Sequence, residues 1–232
     1  MNLKDKPQGK IKTLSLRAFY SEMIKIVGGI GLYIYARPRV YYVSKKAAKK
    51  IKGGVLIAAN HRSLKDVFLL FLTFWYRRLH FPATAQLFEK PINRFFFYNM
   101  NCIPIERSAQ NVSALKRMCE LLKKNKAVAI FPEGSINKGE ELMDFKRGTA
   151  YMANKTGKPI VPVYIGEIGR WWQMTPVIVG EPIDVAGMCG QLSRAEAIDK
   201  VSQHLRNEEE KLAEYCRGIS EKKKKRCACQ KQ

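Results

Sequence analysis

The sequence predicts an α/β fold, and two features predict it. Beyond Gly53-Gly54, short apolar runs alternate with longer amphipathic segments, and glycine or proline stands at several of the switches. The 232 residues suffice for one domain with a sizeable buried core. Apolar residues at 46% and charged residues at 27% exclude a disordered, collagen-like or coiled-coil description of the whole.

Taken in order, Val55 to Ala59 reads as a strand, Ser63 to Tyr76 as a helix and Thr84 to Leu87 as a strand. Pro91 to Asn99 reads as a helix opened by proline, whose missing N–H has no intrahelical partner there in any case. Ile103 to Ile105 is a short extended piece, Ser113 to Leu122 a helix and Ala127 to Phe131 a buried strand. Lys146 to Lys155 is a helix stopped by Gly157. Ile160 to Ile165 and Val177 to Val179 complete the strands. Ser193 and Glu196 then form a capping box ahead of a long polar helix bearing Ile198, Val201, Leu205 and Leu212. The end of the chain, 218–232, with four consecutive lysines from Lys222, reads as a basic disordered tail.

Charge is the unusual quantity. Forty-two Lys and Arg against 20 Asp and Glu leave +22, so the surface attracts polyanions, anionic lipid or anionic substrates. Through Lys52 there are 13 Lys or Arg and two acids, Asp5 and Glu22, which is half of that excess. Inside this stretch Ile26 to Ala36 is uncharged and mostly apolar, about half of the ~20 residues a membrane-crossing helix needs. An apolar centre with basic flanks is the pattern of an interfacial anchor, so 1–52 is read as a membrane-docking helical segment, 53–217 as the domain proper. The other reading of 1–52 is a buried first helix followed by a solvated lysine-rich loop. Six cysteines without regular spacing and no recognisable signal peptide point to a reducing compartment. His61, His80 and His204 lack metal-site spacing, so no metal is expected.

The informative segment for chemistry is Asn60-His61-Arg62-Ser63-Leu64-Lys65-Asp66, where a predicted strand gives way to a helix. Strand ends are where α/β sites form. A carboxylate beside an imidazole fixes its tautomer and leaves the second ring nitrogen free to take a proton, which makes His61 a candidate general base with Asp66 behind it. Two further polar segments also follow extended runs: Ile103-Pro104-Ile105-Glu106-Arg107 and Phe131-Pro132-Glu133-Gly134-Ser135.

These blocks, in this order, resemble the glycerolipid acyltransferases, the family of bacterial 1-acyl-glycerol-3-phosphate acyltransferases. The family's first block, N-H-x-S-x-x-D, is filled by Asn60, His61, Ser63 and Asp66. The block usually reading F-P-E-G-T-R is met by Phe131, Pro132, Glu133 and Gly134, with Ser135 for threonine and Ile136 where arginine is usual. The block ending in arginine is met by Ile103 to Arg107, with Asn101-Cys102 in place of the customary glycine, and Phe145-Lys146-Arg147-Gly148 and Val161-Pro162-Val163 follow. The resemblance spans roughly 52–180. It implies a mixed β-sheet flanked by helices, of the glycerol-3-phosphate acyltransferase type. It also implies transfer of a fatty acyl group from acyl-CoA or acyl carrier protein to the sn-2 hydroxyl of a lysophospholipid.

On that reading His61 is the base and Asp66 its orienter, and the thioester is a co-substrate, so no cofactor is expected. Backbone N–H groups at Gly134 and Ser135 are candidates for the oxyanion. Glu133 is either an acceptor for a substrate hydroxyl or an organiser of its loop. Arg107, with Lys146 and Arg147 as secondary candidates, would hold the acceptor's phosphate. The expected setting is peripheral, on an anionic membrane surface at the cytoplasmic face. Three other readings compete: a different lysolipid headgroup, a membrane-bound thioesterase in which His61 activates water, and a nucleic-acid-binding protein. The last is disfavoured because positive charge gathers at the chain ends and no nucleic-acid motif appears.

Overall fold

The computed structural model describes residues 31, 33–105, 112–137, 139, 142–167, 174–190 and 192–229, with the side chains of 220 and 222–229 left aside. Among the described residues seven strands form one sheet: β1 (Pro38–Tyr42), β2 (Val55–Ala59), β3 (Leu79–Thr84), β4 (Cys102–Ile105), β5 (Ala127–Ile130), β6 (Ile160–Ile165) and β7 (Thr175–Val179). Their spatial order is β1-β7-β6-β2-β5-β3-β4. Only the β6–β7 pair is antiparallel, so the sheet is mixed.

The central strand β2 is buried along its whole length, and period-2 alternation sends its side chains to two cores. Val55, Ile57 and Ala59 face α1 (Lys65–Thr73) and α2 (Pro91–Asn99) through Leu69, Leu70, Phe97 and neighbours. Leu56 and Ala58 face α3 (Val112–Lys123), α4 (Gly148–Thr156), α5 (Val185–Cys189) and α6 (Arg194–Cys229) through Met118, Leu122, Met152, Val201 and Leu205. Farther along α6, Leu212, Ala213 and Cys216 pack on Tyr164 of β6 and Ile178 of β7.

Several expectations hold to the residue, among them β2, α2 and β6. The capping box closes as expected, Ser193 N–H donating to Glu196 Oε2 at 3.0 Å and Glu196 N–H to Ser193 Oγ at 3.4 Å. Gly157 ends α4 in the left-handed region, φ 61°.

Four are corrected. The domain does not begin at 53, because β1 pairs in parallel with β7 and belongs to the sheet. The strand expected over Thr84 to Leu87 lies earlier, at Leu79–Thr84, and Ala85–Phe88 is a 3₁₀ turn. Pro82 disguises that strand. β3 pairs with β5 only at Leu79 and His80, so at Pro82 it is paired on one side and a residue without an N–H is tolerated. The short helix α5 was not foreseen; Asp184 caps it by accepting the Gly187 N–H. The tail expected to be disordered from 218 instead continues α6 to Cys229, as a run of Glu, Lys, Arg and Ala favours. The expected N-terminal docking segment lies mostly outside the described residues.

Candidate active site

Register explains why two distant segments meet. β2 and β5 are parallel neighbours with Ala58 level with Ile130, so His61 and Glu133, each three residues farther on, emerge side by side at the carboxyl edge of the sheet. β4 runs parallel to β3, which runs parallel to β5, so it delivers its C-terminal end to that edge too. Arg107, two residues past β4, lies outside the described residues.

Each fixed position of the first block has a physical task. Asn60, 2% exposed, clamps β2 to β6: its Nδ2 donates to Ile165 O at 3.0 Å and its Oδ1 accepts the Ile165 N–H at 2.7 Å. Asp66, fully buried in the first turn of α1, gathers donors on Oδ2: His61 Nδ1 at 2.9 Å, Arg62 N–H at 2.6 Å and Ser63 N–H at 2.7 Å. Ser63 Oγ adds a bond to Asp66 Oδ1 at 3.3 Å and accepts the Lys65 N–H at 3.1 Å. With Nδ1 committed to the carboxylate, Nε2 is the nitrogen left to exchange a proton. The imidazole stacks on Phe131, ring centroids 3.9 Å apart at 13°, which fixes its plane. Phe131 belongs to a quoted block, but nothing in the sequence signals a stack with His61.

Glu133 is 3% exposed. Its Oε1 accepts the His61 N–H and its Oε2 the Met143 N–H, both at 3.3 Å, and His61 O accepts the Asn137 N–H at 2.7 Å. The structure therefore favours the loop-organising role for Glu133 over contact with a substrate hydroxyl.

Gly134 sits at φ 72°. Its N–H already donates to Phe131 O at 3.0 Å, which removes it from the oxyanion donors and corrects that expectation. Glycine is required here for two other reasons. The backbone is left-handed, and a Cβ would come within 2.5 Å of Lys146 Cε and Nζ. Lys146 thus lies along the Glu133-Gly134 turn, tied by its own N–H to Pro132 O at 2.8 Å. Ser135 is exposed one residue on, its Oγ 3.8 Å from Met143 Sδ. Arg147 does not join them. It forms an exposed ion pair with Asp199 of α6 at 2.9 Å, away from the turn that Lys146 follows.

His80 is structural: its Nδ1 meets Ala127 O at 3.1 Å, and burial, aided by Lys126 and Arg117, holds its pKa below the usual histidine value. Burial also pushes the Cys102 thiol up to about 12, leaving it without thiolate character.

A histidine oriented by a buried aspartate, at the carboxyl edge of a mixed sheet, is an arrangement suited to general-base chemistry. The family model for acyltransferases matches residues 39–166, more than half of the chain, and the chain belongs to that family. Among curated proteins it is similar to the chloroplastic 1-acyl-sn-glycerol-3-phosphate acyltransferase of Brassica napus, 29% identical over 157 residues, 66% of this chain and 44% of that one. It is also similar to the 1-acyl-sn-glycerol-3-phosphate acyltransferase of Borreliella burgdorferi, 32% identical over 120 residues, 48% of this chain and 45% of that one. The chain thus spans under half the length of these relatives. In fold it is similar to the crystal structure of the 1-acyl-sn-glycerophosphate acyltransferase from Thermotoga maritima, TM-score 0.61 at 24% identity, covering 84% of this chain and 80% of that one. The mixed α/β architecture expected from the sequence is shared with that structure.

Proposed function

We propose that the protein transfers a fatty acyl group from a thioester of coenzyme A or acyl carrier protein to the free sn-2 hydroxyl of 1-acyl-glycerol-3-phosphate, giving phosphatidic acid. The observation that carries this reading is the 2.9 Å bond between His61 Nδ1 and a fully buried Asp66 at the sheet edge. The names of the relatives supply the substrate class.

In this scheme His61 Nε2 takes the hydroxyl proton as the alcohol oxygen attacks the thioester carbonyl carbon. Asp66 holds the tautomer and stabilises the imidazolium that forms. The tetrahedral intermediate collapses with cleavage of the C–S bond, and His61 returns the proton to the departing sulfur, so ester and free thiol are the products. Ser135 N–H is the remaining candidate for the oxyanion. Lys146 brings an ammonium to the turn beside Gly134, and Arg107 is assigned with it to the acceptor's phosphate. Ile136, exposed, adds no charge where the family usually has arginine, so phosphate recognition rests on these two. The scheme uses no cofactor and no metal.

The working position is peripheral, at the cytoplasmic face of a membrane. Among the described residues no helix is long and apolar enough to cross a membrane. Tyr33, Ile34, Tyr35 and Leu64 are exposed, Lys65 covers Tyr35 at 4.3 Å, and Lys45, Lys46, Lys49 and Lys50 stand exposed nearby in sequence. Apolar tips among cations suit an anionic lipid surface, and nucleic acid is not proposed as a partner.

The test is thiol release from palmitoyl-coenzyme A, and in parallel from palmitoyl-acyl carrier protein, with and without lysophosphatidic acid. Release that requires the acceptor is expected. Equal release in its absence would mean hydrolysis and overturn the proposal, as would release only with a lysolipid bearing another headgroup.

A further inference from the structure

The loop that follows the Glu133-Gly134 turn is fastened to the catalytic histidine and turns apolar side chains to solvent. Asn137 N–H donates to His61 O at 2.7 Å, Arg62 Nη2 to Gly139 O at 3.2 Å and Gly139 N–H to Asn137 Oδ1 at 2.8 Å. Farther on, Met143 N–H closes the loop onto Glu133 Oε2 at 3.3 Å, and Met143 Sδ lies 3.8 Å from Ser135 Oγ. The side chains of Ile136 and Met143, held beside His61 in this way, are each 42% exposed. On the other flank of the histidine Leu64, three residues on, is 70% exposed, and Lys65 next to it covers the exposed Tyr35.

Singly exposed apolar residues are ordinary, so their placement decides what they mean. Helices α3 and α4, on the layer away from α1, expose no large apolar side chain past Val112. Leu64, Ile136 and Met143 instead surround one histidine, and none of the three joins a core cluster. Among the described residues the charges beside them favour a negative partner. Lys65 adjoins Leu64 and Lys146 lies along the Gly134 turn, while Asp144, the acid next to Met143, is paired with Arg206 at 2.7 Å. Asp66 and Glu133 are buried. Ile136 stands where the family usually has arginine, so an apolar tip replaces a cation at this rim, which favours hydrocarbon over a headgroup at that point.

We infer that Leu64, Ile136 and Met143 form a lip that dips into the apolar layer of an anionic bilayer, with Lys65 and Lys146 at the level of the headgroups. Burial of the three side chains in hydrocarbon and attraction of the two ammonium groups to anionic lipid act together. Peripheral docking by itself leaves open which edge of the sheet meets the lipid; the lip turns the catalytic edge toward it. An acceptor whose acyl chain is still in the bilayer then reaches His61 Nε2 without leaving the membrane. That kinetic consequence rests on the proposed acyl transfer, whereas the lipid contact does not.

The experiment compares the full chain with Leu64→Ser, Ile136→Ser and Ile136→Leu in co-sedimentation with vesicles of phosphatidylcholine, alone or carrying phosphatidylglycerol. The parent is expected to bind the anionic vesicles more tightly. Each serine variant is expected to partition about tenfold more weakly at an unchanged melting temperature, and Ile136→Leu to partition like the parent. In thiol release, Ile136→Ser is expected to raise KM about tenfold for lysophosphatidic acid carried in the anionic vesicles. Turnover of a short-chain lysophosphatidic acid, monomeric in solution, is expected to stay at the parent's level. Parent-level vesicle binding by both serine variants would overturn the lip. So would a loss confined to self-association on gel filtration, which assigns the patch to a second copy of the chain. An equal rise in KM for the vesicle-borne and the monomeric acceptor would overturn it as well, by returning position 136 to the headgroup site. If no protein releases thiol, the acyl-transfer reading fails, while co-sedimentation still decides the lip.

Discussion

Asp66→Asn isolates the orienting carboxylate from everything else the site does. The side chain is fully buried, and three donors converge on Oδ2: His61 Nδ1 at 2.9 Å, Arg62 N–H at 2.6 Å and Ser63 N–H at 2.7 Å. Asparagine keeps the shape and one acceptor oxygen, but each bond loses its charge assistance. Hydrogen bonds to a charged group contribute about 1.5–3 kcal/mol against about 0.5–1.5 for neutral ones, so the three together lose about 3 kcal/mol. In a chain of this size that lowers the melting temperature by roughly 6–12 °C. The imidazole also loses the group that stabilises its cation, and the base contribution of about 10²- to 10⁴-fold is expected to disappear from turnover. Acceptor-dependent thiol release measured well below the melting point reads the second effect without the first. A folded Asp66→Asn protein with turnover within about threefold of the parent would refute the assignment of His61 and Asp66 as one unit.

Three further outcomes follow from particular contacts. Gly134→Ala places a side chain at φ 72° and a Cβ 2.5 Å from Lys146 Cε and Nζ; we expect a loss of about 1–2 kcal/mol in chemical denaturation and a raised acceptor KM as Lys146 is pushed aside. Arg147→Ala breaks an exposed ion pair and is expected to change stability by at most about 1 kcal/mol with turnover intact, and a selective rise in acceptor KM would return Arg147 to the phosphate site. His80 is held below the ordinary histidine value of 6.5, so the unfolded chain binds the proton more readily than the folded one. Its contribution to stability is therefore present above 6.5 and lost as pH falls below it, and the parent's melting temperature should drop relative to His80→Gln on acidification.

What the sequence discloses follows the distance over which a signal acts. Asn60, His61, Ser63 and Asp66 lie within seven residues and serve one another or an adjacent strand, so their spacing alone points to the site. The Ser193–Glu196 box is equally local. β1 is not legible, because Pro38-Arg39 inside a basic stretch gives no strand pattern and its partner β7 lies at the far end of the domain. Lys146 and Arg147 look interchangeable in sequence, yet successive residues at a helix start point about 100° apart, and one follows the Gly134 turn while the other meets Asp199. Glu209 is hidden differently. The apolar stripe of α6 passes from Leu205 to Leu212, and a glutamate between them in a charged helix reads as a solvated position until the fold buries it.

The most direct test of the account is turnover of His61→Ala beside the parent, as acceptor-dependent thiol release from palmitoyl-coenzyme A with melting followed on the same samples. The account predicts release at the uncatalysed background from a protein that stays folded, because the account gives the hydroxyl proton to His61 Nε2 alone. Parent-level release from folded His61→Ala would contradict it.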